Sequence, residues 1–530
     1  MKKIFINADV VTMDEALPSA EAVVIEDGKI VFVGTSSEAL AMSADGEVVD
    51  FEGKALLPGF IDPHSHFSGM AFSFIQAGLG EAASFDDIKN KILEHISSNK
   101  LPKGEWINCT GYDHNSLEEK AHPTAQWLDE FCGDYKVVLQ HKSGHMGVFN
   151  SAALEFAGIT PDTPCPDGGK IGVDADGKLN GYLEEGIYVS TITNLPMPDP
   201  KEIFGGFIKG QYKYAAYGIT TIQEGMFVPQ LAPMYQPLVA NNMLKLDVVT
   251  YLDFRAVEEL KAMFPECVGQ YHNNFKIGGI KMILDGSPQG RTAWMETPYA
   301  GADDGYCGYP YMPDEAVTGV LKQGGALGLQ VLAHCNGDAA AAQYLRCMDA
   351  AAEEVPAVDK TRNVMIHCLL LRPDQMDGLV KHNMVASFFG AHVYHWGDVH
   401  MKNFGAERAA MISSVKSAIG KGIRYTFHQD TPVLQPNMLE TLWIVTNRIT
   451  KNGVVLGEKE KISTYEALKG ITINAAYQYG EEDSKGSITA GKMADIVILD
   501  RNPLKVDTME LKNLVVCETL KRGETLFKLA

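Results

Sequence analysis

Short apolar runs separated by turn residues occupy both ends of the chain. Near the start, the segment AVVIEDGKIVFVG is typical of two strands joined by a Glu-Asp-Gly turn. Near the other end, ADIVILD and NLVVCETLKRGETLF show the same pattern, with a turn at Gly523. Because chain ends often lie close together, these patterns predict one small sheet domain built from both ends, with the middle of the chain inserted into it.

The middle of the chain alternates between helical and strand-like patterns. Segments with helical periodicity, SFDDIKNKILEHISS and DEAVTGVLKQGGALG, alternate with short apolar runs, among them LQVLAH, NVMIH and IRYTFHQD. This alternation predicts a parallel α/β sheet or barrel. Residues from about 71 to 210 are too many for one crossover, so we expect an insertion there.

Polar or charged residues close several of the apolar runs. In an eight-stranded α/β barrel, catalytic groups lie at the carboxyl ends of the strands. The pattern therefore predicts that the side chains closing these runs meet at one face of the sheet. They are His64, Lys281, His334, His367 and Asp430.

Composition and charge narrow the class of protein. The chain has 530 residues, 45% apolar and 21% charged, which is typical of a globular protein with a large core. The net charge of −21 and the lack of a basic block argue against a nucleic-acid partner. No apolar run reaches the roughly 20 residues of a membrane-spanning helix, and the first residues resemble a strand more than a signal peptide. Nine scattered cysteines without a CxxC pair predict reduced thiols and a cytoplasmic location.

The stretch LLPGFIDPHSHF contains two histidines two positions apart. In a strand, residues i and i+2 project from the same face, so His64 and His66 can converge on one metal ion. Two hydrogen-bonded core histidines are the alternative, and the pair alone does not decide between them. His334 and His367 close two further apolar runs and shift the balance toward a metal site, because imidazole is a common zinc ligand near neutral pH.

Asp430 and Lys281 lie in apolar runs where a lone charge is costly. A buried carboxylate must be ion-paired, hydrogen-bonded or metal-bound, and a helix cap or loop anchor is the alternative for Asp430. For Lys281, an ion pair with Asp285 or a strand-edge position reaching solvent would remove the cost. The other hypothesis is a lysine carboxylated by carbon dioxide, which is an anionic ligand able to bridge two metal ions.

Taken together, these residues could hold one or two divalent metal ions. A metal would lower the pKa of a bound water to about 7 and polarise a carbonyl group. Asp430 could then move a proton from that water to a leaving group.

Several motifs make the chain resemble the metal-dependent amidohydrolase superfamily: PGFIDPHSH, VLAHCNGDAA, MIHCLLLRPDQ, HQDTPV and GSITAGKMADIVILD. The segments IKMILDGS, GHMGVFNSAAL and GGKIGVDADGKLNGYLEE are similar to those of its YtcJ-like branch, amidohydrolase family 3. The resemblance runs from about residue 3 to the C-terminus. It implies an α/β fold: a distorted (β/α)8 TIM barrel at 58–477, with an insertion at about 71–210, and a small β-sandwich domain formed by residues 1–57 and 478–530.

The resemblance implies a metal-binding role for five matched positions. His64 and His66 would bind the more buried metal. His334 and His367 would bind the second metal. Lys281 would be the carboxylated ligand that bridges the two ions.

Catalytic and substrate-binding roles follow from the same resemblance. Asp430 would complete the first metal site and act as the proton shuttle. His145 and His392 fall at histidines that the branch places near the substrate. The Gln-Pro that the branch has before the second of these is Phe-Gly here, which puts the substrate pocket in doubt. Aromatic residues, Phe389 and Trp294 among them, predict a pocket for an apolar or aromatic substituent, with core packing as the alternative.

Two further differences from the branch bear on whether one or two metal ions are bound. Ile366 stands where the branch often has Glu before the second-metal histidine. Gln429 stands where it has Ser before the final Asp, with His428 one position earlier. Neither change removes a ligand. Glu185 or Glu224 could replace an unmodified lysine as the bridge, and a structural role is the alternative for both.

The leading hypothesis is a metal-dependent hydrolase that cleaves a C–N bond of an amide, N-formyl or N-acyl group through a metal-activated water. Hydrolysis of an ester or lactone, or deamination of a ring, by the same site is the alternative. A non-catalytic scaffold is less favoured because all six ligand positions are filled. The implied cofactor is a divalent metal, zinc, as one or two ions. The expected partner is a small-molecule substrate, and a homo-oligomer stays open.

Overall fold

The computed structural model describes residues 2–44, 46–144, 146–165, 169–196, 198–302 and 304–529. The strands in chain order are β1 (Lys2–Ile6), β2 (Asp9–Val11), β3 (Ser19–Ala20), β4 (Ala22–Glu26), β5 (Lys29–Gly34), β6 (Gly46–Asp50), β7 (Ala55–Pro58), β8 (Phe60–Ile61), β9 (Ala77–Gly78), β10 (Trp106–Tyr112), β11 (Lys136–His141), β12 (Met146–Phe149), β13 (Lys170–Val173), β14 (Leu179–Glu184), β15 (Ile219–Phe227), β16 (Asp247–Asp253), β17 (Phe275–Ile283), β18 (Gln330–Cys335), β19 (Val364–His367), β20 (Val385–Phe388), β21 (Arg424–Phe427), β22 (Ile496–Leu499), β23 (Val516–Lys521) and β24 (Glu524–Lys528).

The α-helices in chain order are α1 (Ser36–Ala41), α2 (Phe67–Ser73), α3 (Phe85–Asn99), α4 (Ala125–Cys132), α5 (Ser151–Ala157), α6 (Gly186–Thr193), α7 (Pro200–Ala216), α8 (Ala232–Ala240), α9 (Val257–Met263), α10 (Asp314–Leu327), α11 (Asp338–Glu354), α12 (Pro373–Lys381), α13 (His392–His395), α14 (Gly397–Phe404), α15 (Ala406–Ala409), α16 (Val415–Gly420), α17 (Met438–Asn447), α18 (Thr464–Gly470) and α19 (Ile473–Gln478). Both helices expected from periodicity are present, as α3 and α10.

Eight parallel strands form the largest sheet, in the order β21-β20-β19-β18-β17-β16-β15-β8. Parallel ladders join the seven neighbouring pairs. Between the two outer strands, His66 N–H donates to the Thr431 carbonyl at 2.7 Å, just beyond the carboxyl ends of both. Every residue of β16 is buried, as expected for a parallel sheet covered on both faces. This curled sheet confirms the predicted α/β fold of the barrel class.

Two further sheets form the β-sandwich predicted from the chain ends. Their orders are β5-β4-β1-β6 and β24-β23-β22-β7-β2-β3, so the second sheet combines strands from both termini. Val23 and Ile25 of the first sheet share one buried core with Leu56, Ile496 and Ile498 of the second. Burial of these apolar faces against each other is what holds the two ends of the chain together.

Two tight hairpins in this sandwich turn at residues that accept a positive φ. Asp27 and Gly28 connect β4 to β5 with φ values of 49° and 77°. Arg522 and Gly523 connect β23 to β24 with φ values of 51° and 75°. Positive φ at both central positions suits the right-handed twist of the paired strands, and glycine accepts it without strain.

Residues Gly69–Lys209 form a compact unit of their own, separate from the unit of Met1–Ser68 with Gly210–Ala530. The smaller unit contains one sheet in the order β13-β14-β12-β11-β10-β9. Strands β9, β10 and β11 are parallel, and the others pair antiparallel. The boundaries of the predicted domains at residues 57 and 478 stay predictions.

The first motif differs from the expected strand geometry. Strand β8 contains only Phe60 and Ile61, and His64 and His66 follow it in a loop. Pro63 has no N–H to give to a ladder, so the strand ends before it. The expectation that i and i+2 converge because they share a strand is therefore wrong for this pair.

Three other polar residues also lie away from the exact strand ends. His367 closes β19 as predicted, whereas His334 is the last residue but one of β18. Lys281 is two residues before the end of β17. Asp430 comes three residues after β21, where its φ of 53° takes the chain out of the extended conformation.

All nine cysteines are free thiols. Within the described part of the chain, every helix is too short or too polar to cross a membrane.

A buried charge network connects the large sheet to the C-terminal strands. Lys521 Nζ lies 2.6 Å from Asp247 Oδ2 and 2.7 Å from Asp495 Oδ2. Lys485 also pairs with Asp247, and Arg522 Nη2 donates to Asp247 Oδ1 at 2.9 Å. Burial favours the neutral acid, but these cations outweigh it and hold the pKa of Asp247 below its usual range.

We therefore expect Asp247→Asn to destabilise the protein strongly, because the buried cations lose their shared anion. The expected loss in the free energy of unfolding is about 3–5 kcal/mol, measured by urea denaturation. Asp377→Asn is the matched control, since Asp377 and Lys421 form an exposed pair. Its expected effect is below about 1 kcal/mol. Equal effects of the two variants would contradict a structural role for the network.

Candidate metal centre

Three side chains brought together by the large sheet have the spacing of a metal-binding group. His64, His367 and Asp430 each offer one ligand atom, and these atoms all lie within 4.8 Å of one another. His64 and His367 are buried, at 1% and 3% exposure. Nitrogen and carboxylate oxygen donors in such a cluster are the ligand types that zinc accepts.

A chain of hydrogen bonds fixes the orientation of the His64 ring. Gln223 Nε2 donates to the Pro63 carbonyl at 2.6 Å and to the Tyr479 hydroxyl at 3.0 Å. These bonds assign the amide, so Gln223 Oε1 accepts from His64 Nδ1–H at 2.7 Å. The lone pair of His64 therefore lies on Nε2, the nitrogen that faces Asp430. This partner orients a ligand in the way that metal-bound histidines usually require.

Asp430 faces both histidines of the first motif. Its Oδ1 lies 3.4 Å from Nε2 of His64 and 3.4 Å from Nε2 of His66. Among the described residues this buried oxygen accepts no hydrogen bond of good geometry. A buried carboxylate oxygen without a donor is costly unless a cation compensates it. The donor set at this position therefore fits a divalent metal ion.

Lys281 is buried beside the first histidine, at 3% exposure. Its Nζ lies 3.3 Å from His64 Nε2. Burial lowers the pKa of Lys281 to about 8, although Asp430 acts in the opposite direction. Lys281 therefore neither reaches solvent at a strand edge nor forms an ion pair with Asp285. Asp285 lies instead against another histidine of the site.

That histidine is His334, whose Nδ1 lies 3.0 Å from Asp285 Oδ1. Asp285 is fully buried and accepts N–H bonds from Asn336 at 3.0 Å and from Gly337 at 2.7 Å. Because the ionised carboxylate can only accept, it accepts a hydrogen bond from His334 Nδ1–H, which leaves the lone pair of the ring on Nε2. The His334 and His367 rings are 4.5 Å apart, so this histidine belongs to the same group.

A further buried histidine, His428, has no role predicted from the sequence. Its Nε2 lies 3.1 Å from His367 Nδ1, and its Nδ1 lies 2.9 Å from Ser387 Oγ. Burial lowers the pKa of His428 to about 3, so the ring is neutral. It can therefore orient His367 by sharing one proton with it.

Burial and mutual repulsion keep His64 and His367 neutral. Desolvation is the main cause that holds the pKa values of His64 and His367 well below their usual range. Burial disfavours the charged form of Asp430 as well, but the imidazoles around it outweigh this and hold its pKa low. Neutral imidazoles and one carboxylate are the protonation states that metal coordination needs.

Two members of the cluster have positive φ values. His367 has a φ of 76° and Asp430 a φ of 53°, values that non-glycine residues seldom adopt. Such a conformation persists where the surrounding structure holds the residue in place, and it is enriched at functional sites.

Comparison with known proteins places this geometry in a family. A model described as the amidohydrolase family matches residues 47–527. The match covers nearly the whole chain and every residue of the cluster. The chain belongs to the amidohydrolase family. Hydrolysis is therefore its class of reaction.

Two relatives of this amidohydrolase span its full length. It is 27% identical to an N-substituted formamide deformylase of Arthrobacter pascens, over 98% of this chain and 97% of that protein. It is 26% identical to YtcJ of Bacillus subtilis (strain 168), over the whole of both chains, in agreement with the YtcJ-like resemblance. A solved structure from Pyrococcus horikoshii OT3, described as an uncharacterized metal-dependent hydrolase, shares the fold with a TM-score of 0.80. That structure is 23% identical and covers 96% of this chain, which covers 99% of it.

The predicted substrate-binding residues lie in different places. Phe389 packs its ring 5.2 Å from His428 and 4.7 Å from His392. His392 is buried and bonds His400 through Nδ1 at 2.9 Å. These two therefore border the cluster. Their role toward a substrate stays a prediction.

The four other residues considered from the sequence take no direct part in the cluster or lie outside the described residues. Trp294 touches the cluster through its backbone, whose N–H donates to Asp285 at 3.1 Å. His145 lies outside the described residues. Glu224 is buried and accepts bonds from Ser68 N–H and the Tyr235 hydroxyl, each at 2.7 Å, which favours a structural role. Glu185 is exposed, in the unit of Gly69–Lys209.

We expect Gln223→Leu to weaken metal binding because it removes the group that fixes the His64 tautomer. Loss of such a partner lowers metal affinity by roughly 10–100-fold, measured here by zinc titration of the metal-free protein. Gln478→Leu is the matched control. Gln478 is a buried amide that also donates to the Pro63 carbonyl, at 2.8 Å, without contacting a histidine. Equal zinc affinity in Gln223→Leu and the wild type would show that His64 is not a ligand.

Proposed function

We propose that this amidohydrolase is a metal-dependent enzyme that hydrolyses a non-peptide C–N bond in an amide, N-formyl or N-acyl group of a small molecule. The observation that carries the proposal is the Asp430 carboxylate, whose buried Oδ1 faces two imidazoles without a hydrogen bond of good geometry. The N-substituted formamide deformylase, at 27% identity over 98% of the chain, supports the choice of a C–N bond.

The residues proposed to hold the metal are the six matched to the family. A bound divalent ion supplies Lewis acidity, which polarises a carbonyl and makes water more acidic. Zinc suits the nitrogen and oxygen donors, as one or two ions. The proposed ligands are His64, His66, Lys281, His334, His367 and Asp430.

Asp430 is proposed to move the proton in this reaction. It accepts a proton from the attacking water as the oxygen bonds to the substrate carbonyl carbon. It then donates the proton to the nitrogen as the C–N bond breaks, which yields a carboxylic acid and an amine. The low pKa of Asp430 supports this role because the carboxylate is ionised at neutral pH and can accept a proton. The closeness of Phe389 and His392 to the cluster supports the expectation that they border the substrate.

Lys281 is proposed to be carboxylated on Nζ. The neutral amine attacks carbon dioxide, an N–C bond forms and one proton leaves to solvent, which gives an anionic carbamate. Burial favours this reaction since it lowers the pKa of Lys281 to about 8 and so provides neutral amine near neutral pH. The product replaces a buried cation among imidazoles with an anion that can serve as a ligand.

A hydrolysis panel tests the proposed reaction. We expect zinc-loaded protein to hydrolyse N-formyl or N-acyl amines faster than esters and lactones, and Asp430→Asn to lower kcat by about 100-fold or more. Metal content of that variant should remain largely unchanged. Glu224→Gln is the control, because the amide oxygen can keep both bonds that the buried Glu224 accepts.

Several outcomes of this panel would contradict the proposal. Turnover of esters, lactones or ring amines alone would move the activity to those substrates. Unchanged turnover in Asp430→Asn would remove the proton-transfer role. Protein that neither binds zinc nor turns over any substrate would be a scaffold.

The carbamate is tested directly with ¹³C-labelled bicarbonate. We expect a carbamate carbon signal in the NMR spectrum of the wild type that disappears in Lys281→Gln. Lys276→Gln should retain the signal, since Lys276 is a buried lysine that is ion-paired with Glu481. Absence of the signal from the wild type, or its persistence in Lys281→Gln, would exclude carboxylation at this position.

A further inference from the structure

A second cluster of possible metal ligands lies within the unit of Gly69–Lys209. Asp113, His114 and His141 each offer a ligand atom there. His114 Nδ1 lies 3.1 Å from His141 Nε2, and Asp113 Oδ1 lies 3.6 Å from His141 Nε2 and 4.0 Å from His114 Nδ1. Three donors this close can reach a single ion between them, because zinc–ligand distances are about 2.0–2.2 Å.

The sheet of this unit builds the cluster from two neighbouring parallel strands. Tyr112 at the end of β10 is in register with His141 at the end of β11. Asp113 and His114 follow β10 directly. Lys142 N–H donates to the Tyr112 carbonyl at 2.8 Å, which holds the two strand ends together. The carboxyl ends of adjacent parallel strands therefore bring the donors to one edge of the sheet.

Neighbouring side chains hold the donors in position. His122 stacks on the His114 ring at 4.1 Å, and its Nδ1 bonds the hydroxyl of the buried Tyr112 at 2.9 Å. Asp113 Oδ1 accepts from the Asn115 N–H at 2.9 Å, which fixes the carboxylate in its turn. These contacts hold the cluster without using His114 Nδ1 and His141 Nε2, the two nitrogens that face each other.

The protonation states of the cluster suit a cation. Burial lowers the pKa of His141, and it lowers the pKa of His122 to about 4. The pKa of Asp113 lies below its usual range, since bonds from Asn115 and the nearby histidines outweigh the effect of burial. At neutral pH His141 is therefore neutral and Asp113 is ionised.

Ser143 supplies the proton acceptor that ligation by His141 requires. Its Oγ lies 2.9 Å from His141 Nδ1, and its N–H donates to the same nitrogen at 3.1 Å. When Nε2 gives its lone pair to an ion, the ring proton resides on Nδ1, where it is donated to Ser143 Oγ and replaces the bond from the Ser143 N–H. The ring changes tautomer, and no proton is lost.

We propose that Asp113, His114 and His141 form a second metal site, which binds a divalent transition-metal ion of the zinc class. Two nitrogens and one carboxylate oxygen favour such an ion over magnesium or calcium. The side chains of His114 and Asp113 are 27% and 30% exposed, which leaves room for water as a further ligand. The ion joins the loop after β10 to the end of β11. This site goes beyond the proposed function and uses none of its residues.

Hydrogen–deuterium exchange of the full-length protein tests this site separately from the candidate metal centre. We expect added zinc to slow exchange in peptides covering 106–122 and 136–144 of the wild type. His114→Ala should lose this zinc-dependent protection and bind about one zinc equivalent less in equilibrium dialysis, because the site closes around one ion. His95→Ala is the matched control, since His95 lies on α3 of the same unit and bonds Asn99.

A milder variant keeps the test decisive if His114→Ala fails to fold. Asp113→Asn retains a side-chain oxygen for the turn with Asn115 but removes the charge, so protection should require a higher zinc concentration. The proposal would be overturned if zinc gave these wild-type peptides no protection. Equal protection and equal zinc content in the wild type, His114→Ala and Asp113→Asn would overturn it too.

Discussion

Oδ1 of Asp430 lies beyond the carboxyl ends of the large sheet and has no well-aligned hydrogen bond. The arrangement of the groups around it depends on the negative charge of this carboxylate. Asp430 Oδ1 faces the Nε2 atoms of His64 and His66 at 3.4 Å each. Leaving such an oxygen uncompensated costs several kcal/mol, so we propose that a cation binds it. The surrounding groups suit such a cation. Gln223 fixes the His64 tautomer, Asp285 holds His334, and burial keeps His64 and His367 neutral.

The rest of the fold holds these groups in place. Parallel strands buried on both faces carry Lys281, His334 and His367, whereas loops that leave the sheet carry the first histidine pair and Asp430. His66 N–H, bonded to the Thr431 carbonyl, brings the two loops together. The sandwich made from both termini secures the start of the first loop, because β7 pairs with β22 immediately before the chain enters β8. Positions this precise are what a metal centre needs, since ligand geometry must be held tightly.

The sequence predicted the α/β barrel, the sandwich from both ends and helices α3 and α10, because periodicity and turn residues are local signals. It also drew attention to His64, Lys281 and Asp430, since polar residues in apolar runs stand out. It did not find the partners that orient the ligands. Gln223 contacts His64 across 159 residues, and His428 contacts His367 across 61 residues. Such pairs depend on tertiary contacts, as does the loop that brings the first two histidines together without a strand.

We propose that these residues form a divalent metal centre. Anomalous diffraction at the zinc edge, from crystals grown with zinc and without chelator, locates such an ion. We expect a peak within coordination distance of His64 Nε2 and Asp430 Oδ1, about 2.0–2.2 Å from each. A map without a peak at this position, in a protein that hydrolyses its substrate, would contradict it.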